Sequence, residues 1–133
     1  MIISFGWTTP ALLAGHKTVT RREWKPQHAA KFKAGMLVDA WNTSPRNVKG
    51  DPHKVATIRL TADAEYDRFR GALTTDMPDW KAEGFEWMWE NGYWEKVNAV
   101  QEHWAWTFDE PIYIVRFEVV EVLKRPGYEV VQG

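Results

Sequence analysis

Two segments of this chain alternate apolar and polar residues, and no other feature restricts its fold as tightly. In "VATIRLTADAEY", Ala56, Ile58, Leu60 and Ala62 fall on one side and Thr57, Arg59 and Thr61 on the other. In "PIYIVRFEVVEVL", Tyr113, Val115, Phe117 and Val119 alternate before the phase slips at Val120. Side chains of a strand repeat every two residues, so each segment reads as a strand with one buried face. The slip predicts a β-bulge. Between them, "MPDWKAEGFEWMWENGYWEKVNAVQEHWAW" reads as helical and Trp-rich, with Tyr93, Val97, Val100 and Trp104 at helical spacing.

The N-terminal part is built from shorter pieces. "MIISF" is a strand with Ile3 and Phe5 on one face. "TTPALLAG" is a short helix: Thr9 suits the N-cap, Pro10 the first helical position, and Gly15 a left-handed stop. Residues 18–22 read as a strand or extended turn. "PQHAAKFKAG" is a second helix opened by Pro26 and closed by Gly35, residues 36–41 form a strand, and "NTSPRNVKGDPH" is a polar loop. The chain has no internal repeat, low-complexity tract or dividing linker, so one domain over residues 1–133 is expected, long enough to bury a core. Strands at both ends and in the middle, with helices between, predict an α+β fold around a curved or closed sheet. Residues 1–5, 36–41, 55–62 and 112–122 are expected in one mostly antiparallel sheet.

Composition removes several kinds of chemistry. With no Cys, disulfides, zinc–thiolate sites and thiol nucleophiles are excluded. His28, His53 and His103 are scattered without ligand spacing, so no metal site is expected, and no cofactor is implied. The N-terminus lacks the basic region of a signal peptide, and no apolar run approaches the roughly 20 residues that span a bilayer, so a cytoplasmic protein is expected. A net charge of −1 argues against a long polyanion-binding groove.

The charge is nonetheless uneven. Residues 15–35 carry six Lys or Arg against one acid, Glu23, whereas residues 63–95 carry nine acids against Arg68, Arg70 and Lys81. That asymmetry points to one basic surface facing an anion. Nine Trp exceed what one small core easily takes, so one or two are expected to line a pocket where a flat ligand stacks. Trp7 and Trp24 flank the first helix and the basic strip.

That strip is "GHKTVTRR", residues 15–22. Its Gly-x-Lys-Thr string is not a phosphate loop, because the leading Gly is absent and the order is helix–Gly–strand. The strip, "KAG" at residues 33–35, "ATIRLT" at 56–61, "EGF" at 83–85 and "IYIVRFEVVEV" at 112–122 follow one another in the order and spacing of a known family. Through nearly its whole length the chain resembles the ASCH domain of the PUA-like superfamily. His16 stands where that family usually carries Arg.

The resemblance implies a pseudo-barrel with a cleft beside the N-terminal helix that holds RNA or a modified nucleoside. It is similar to the small bacterial enzymes that hydrolyse N4-acetylcytidine to cytidine and acetate. By that likeness Lys17 would be the base, Thr20 the hydroxyl nucleophile or the positioner of a water, and Glu83 the group that returns a proton to the departing amine. His16, Thr18, Arg21, Arg22, Trp7 and Trp24 are the expected ligand contacts. Residues three apart on a flat strand face opposite ways, so Lys17 and Thr20 can share a pocket only if the backbone is still unwinding after Gly15. Binding of RNA or a nucleoside is the first expectation, amidohydrolase activity the second, and a ribonuclease, lacking a convincing His pair, the third.

Overall fold

Pairing of the alternating segments organises the molecule. The structure is a computed structural model that describes residues 1–67, 79–106 and 112–123, with the backbone alone over 101–106. Its strands are β1 (Ile2–Ser4), β2 (Val19–Arg22), β3 (Leu37–Trp41), β4 (Lys54–Leu60), β5 (Glu65–Tyr66) and β6 (Tyr113–Val122). The order along the sheet is β1-β3-β4-β6-β2, with β5 also on β6. All pairs are antiparallel except β1 with β3, where Ile3 lies opposite Ala40. The sheet curls into a half-barrel, an α+β PUA-like pseudo-barrel.

β6 closes it. Its C-terminal half pairs with β4, Leu60 opposite Phe117, and its N-terminal half lies between β2 and β5, with Thr20 opposite Val115 and Glu65 opposite Ile114. Thr57 faces Glu121 while Ile58 faces Val119, so Val120 is the extra residue of a bulge, where the alternation slips. Inward residues Ile3, Phe5, Val38, Ala40, Ala56, Ile58, Leu60, Val115 and Phe117 form the main core, covered by Leu12, Leu13 and Phe32. A second cluster, Ala11, Trp80, Phe85, Met88 and Val97, joins the helices. These are α1 (Thr9–Leu13), α2 (Pro26–Ala29), α3 (Phe85–Glu90) and α4 (Trp94–Trp106). No helix among the described residues is long and apolar enough to cross a membrane.

Two local expectations are corrected. The segment expected as one strand over 55–62 and beyond is two, because Asp63 leaves the ladder to accept the Ala34 N–H at 2.8 Å. Ala64 N–H then donates to Phe32 O at 3.0 Å, and the chain returns to β6 only at Glu65. Thr9 is not an N-cap either. A 3-10 turn, Gly6–Thr8, runs straight into α1, and the Thr8 and Thr9 hydroxyls donate to Phe5 O and Gly6 O, at 2.8 and 2.7 Å. Elsewhere in the Trp-rich segment, Phe85 and Met88 are buried whereas Trp89 and Trp94 are about half exposed. The side chain of Trp104 lies outside the described residues.

Candidate functional site

The turn after α1 sets the site's geometry. Gly15 takes φ +81°, Gly15 N–H donates to Leu12 O at 3.1 Å and His16 N–H to Ala11 O at 2.9 Å, the paired bonds of a Schellman stop. β2 begins only at Val19, so Lys17 sits in the turn and is freed from the two-residue alternation of the strand. The "EGF" turn docks against this place: Thr18 and Val19 N–H both donate to Ala82 O, at 2.8 and 3.1 Å. Gly84, at φ +87°, allows the approach, since a Cβ there would lie 2.8 Å from Ala11 Cβ and 3.3 Å from Lys17 Cβ.

Gly84→Ala therefore combines a left-handed backbone with a steric clash, and is expected to destabilise by about 2–4 kcal/mol in urea denaturation. Gly92, at φ +93° with no atom within 4 Å of where a Cβ would stand, provides the comparison. Gly92→Ala should show the backbone penalty alone. Equal losses for the two would remove the packing role of Gly84.

Lys17 is buried beneath the main chain of this turn. Its Nζ donates to the Glu83 backbone carbonyl at 2.8 Å and to Glu83 Oε1 at 3.1 Å, with both side chains almost wholly inaccessible. The other carboxylate oxygen accepts Arg21 Nη1 at 2.7 Å. Arg21 is itself consumed: Nε reaches Asp67 Oδ2 at 3.0 Å and Nη2 reaches Asp79 Oδ2 at 2.8 Å. Arg116 Nη1 and Nη2 close the network on Asp79 at 3.0 and 3.2 Å.

Burial pushes the Lys17 ammonium down; Glu83 opposes it, Arg22 and Arg21 assist, and the pKa settles at about 8. Burial likewise lowers Arg22, to about 10, against the pull of Glu83. Burial disfavours the Arg21 charge as well, but Glu83, Asp79 and Asp67 outweigh it and hold the guanidinium above its ordinary value. Burial would raise Asp79, yet its bonds to Arg116 and Arg21 bring it below the usual carboxylate range. Above pH 8 the folded chain has released the Lys17 proton, while the unfolded chain keeps it until about 10.5. More protons are then bound when unfolded, so the Lys17 contribution to stability rises with pH across that window. Wild type should gain stability relative to Lys17→Met between pH 8 and 10.5, measured by denaturant titration; a gap that stays constant would place the Lys17 pKa elsewhere.

A cleft of about 600 Å³ opens above this network, the size range of small-ligand sites. Lys17, Thr20, Arg21, Arg22, Glu83 and Trp7 all line it. The Thr20 hydroxyl makes no hydrogen bond among the described residues, and Lys17 Nζ is bonded to Glu83 and not to Thr20. Trp7 stacks on Phe85, with centroids 5.8 Å apart and planes within 5°; Phe85 is buried, so half-buried Trp7 is the aromatic surface of this pair that a ligand could meet. The other three sequence candidates lie elsewhere. His16 is exposed and faces Trp87 at 6.1 Å, Thr18 is exposed, and Trp24 stacks on Phe32 at 4.3 Å against the main core.

Phe85, which closes the "EGF" motif, also lines the cleft, a place that its position in the motif does not disclose. Asp67 and Asp79 carried no local signal at all. Nor did Lys96, which reaches the cleft from α4. Among the described residues no cluster of His, Asp and Glu could hold a metal ion.

No family model and no curated protein matches this chain. Among solved structures it is similar to the crystal structure of protein EF3133 from Enterococcus faecalis V583, of the DUF984 family. The match has a TM-score of 0.53 and covers 96% of this chain and 84% of that one. The two share a fold. At 19% sequence identity the likeness reaches no further.

Proposed function

We propose that this cleft is an ASCH-type ligand site that takes one nucleoside unit, free or within RNA. The observation that carries the reading is half-buried Trp7, backed by the parallel Phe85 ring, on the lining of a cleft of about 600 Å³. A base laid on an aromatic face gains about 1–3 kcal/mol whatever its sequence. Calorimetric titration with cytidine and N4-acetylcytidine tests it. Saturable binding is expected, weakened by about tenfold or more in Trp7→Ala through the lost stacking. No saturable heat with either nucleoside would sink the reading. A single-unit site contacts few phosphates, so a short RNA should lose affinity only shallowly with salt; a fall of several decades would indicate an extended groove.

A specific observation favours a second reading, hydrolysis of the acetyl amide of N4-acetylcytidine. A lysine whose pKa is lowered to about 8, bonded to a carboxylate, shares a cleft with a hydroxyl that has no hydrogen-bond partner among the described residues. The neutral Lys17 amine would take the Thr20 hydroxyl proton as that oxygen attacks the acetyl carbon. The C–N bond would break as the proton, passed from Lys17 through Glu83, reaches the leaving nitrogen. Cytidine departs, and water then releases acetate from Thr20 by the same groups in reverse. The ribonuclease reading gains no support, because none of His16, His28 and His53 lines the cleft.

A further inference from the structure

Neither reading gives Arg22 a ligand group to hold; its charge only helps to lower the Lys17 pKa. Arg21 and Arg22 both line the cleft, and among the described residues only Arg21 of the two bonds to carboxylates. The Arg22 guanidinium lies 5.4 Å from the centre of the Phe5 ring, lines the cleft, and keeps a buried Nε with no hydrogen-bond partner among the described residues. Its pKa of about 10 leaves it charged at neutral pH. A half-buried guanidinium with its Nε inaccessible and no bonded counter-ion, offset only by the unbonded pull of Glu83, is costly, and an anionic ligand would relieve that cost.

The surroundings narrow the anion. Ser4, Thr43 and Ser44 line the same cleft, as does Lys96. Thr43 Oγ1 already accepts from Asn47 Nδ2 at 3.0 Å and Ser44 Oγ from the Arg46 N–H at 3.3 Å, so each hydroxyl hydrogen remains available to donate. A guanidinium fork, hydroxyl donors and an ammonium suit a group with three or four acceptor oxygens better than a carboxylate with two. We propose that Arg22 seats a phosphate, so that the ligand is a phosphorylated nucleotide unit and not a neutral nucleoside. The nucleotide part of this inference rests on the nucleoside reading; the phosphate seat does not.

The test uses the full chain and begins with inorganic phosphate, observed through the Arg22 Nε–Hε resonance by NMR. A saturable shift with phosphate, absent with sodium acetate at matched ionic strength, is the expected result. No shift with phosphate, or an equal shift with acetate, overturns the seat whatever the nucleosides do. Calorimetry then compares cytidine, cytidine monophosphate and the dinucleotide CpC. Either phosphorylated ligand should bind at least about tenfold tighter than cytidine, the worth of a charged hydrogen bond. Preference for the monophosphate identifies a free nucleotide as the source, and preference for CpC an RNA backbone. Arg22→Gln should bring the ratio of phosphorylated-ligand affinity to cytidine affinity down to about one, whatever it does to cytidine itself; a ratio that survives overturns the proposal. A phosphate shift without any nucleoside binding would keep the seat and remove the nucleoside reading.

Discussion

On the hydrolase reading, Lys17→Met is expected to abolish release of acetate from N4-acetylcytidine while wild-type release rises with pH through about 8, the pKa at which the buried amine becomes a base. Loss of a positioned general base costs about 10²–10⁴ in rate. Met keeps the length and apolar stem of Lys, so the cavity left beside Phe85 is small, and Glu83 retains Arg21 as its partner. Thr20→Val, which removes the hydroxyl and preserves the shape, should be as inactive as Lys17→Met and show no pH-dependent recovery. Acetate measured by both variants and wild type across pH 6–10 (a range of about two units either side of the Lys17 pKa) decides between enzyme and binding module. Equal release by all three, or none by wild type, removes the hydrolase reading.

The second large effect concerns stability. Glu83→Ala strips Lys17 of its carboxylate and Arg21 of its shortest contact, so that Arg21 keeps only Asp67 and Asp79 and the buried Lys17 amine keeps no acidic partner among the described residues. Breaking a buried ion pair from one side typically costs about 3–5 kcal/mol, because the remaining charge loses its partner but not its burial. Urea denaturation of Glu83→Ala should show a loss of that size, and Lys17→Met/Glu83→Leu should recover part of it by removing one cation along with the acid. A loss under about 1 kcal/mol, the worth of an exposed pair, would mean that the network is solvated. Such a network is an expensive way to hold a fold, since apolar residues of similar volume serve as well or better. Its placement beneath a cleft is what supports the proposal of a chemical role.

The sequence by itself determined the parts of this protein that follow from local periodicity and punctuation. Alternation in 55–62 and 113–119 identified two strands, their buried faces and the slip at Val120, though the first ends at Leu60, because a side chain's direction along a strand depends only on its neighbours. Gly15 marked the stop of α1 and so allowed Lys17 and Thr20 to line one cleft. The order of motifs that resembles the ASCH family pointed to the pseudo-barrel and to Glu83 before any contact was visible.

Only the tertiary structure decided how the basic strip is used. Trp7 and Trp24 flank it almost symmetrically in sequence, yet Trp7 meets Phe85 at the cleft while Trp24 meets Phe32 in the core. Arg21 and Arg22 are adjacent and chemically identical. Arg21 is tied up by Asp67, Asp79 and Glu83, which lie 46, 58 and 62 residues further along, and Arg22 is left facing the cleft. Partners at such separations are chosen by the pairing of β2 with β6 and the docking of the "EGF" turn, long-range contacts that no window of the sequence contains.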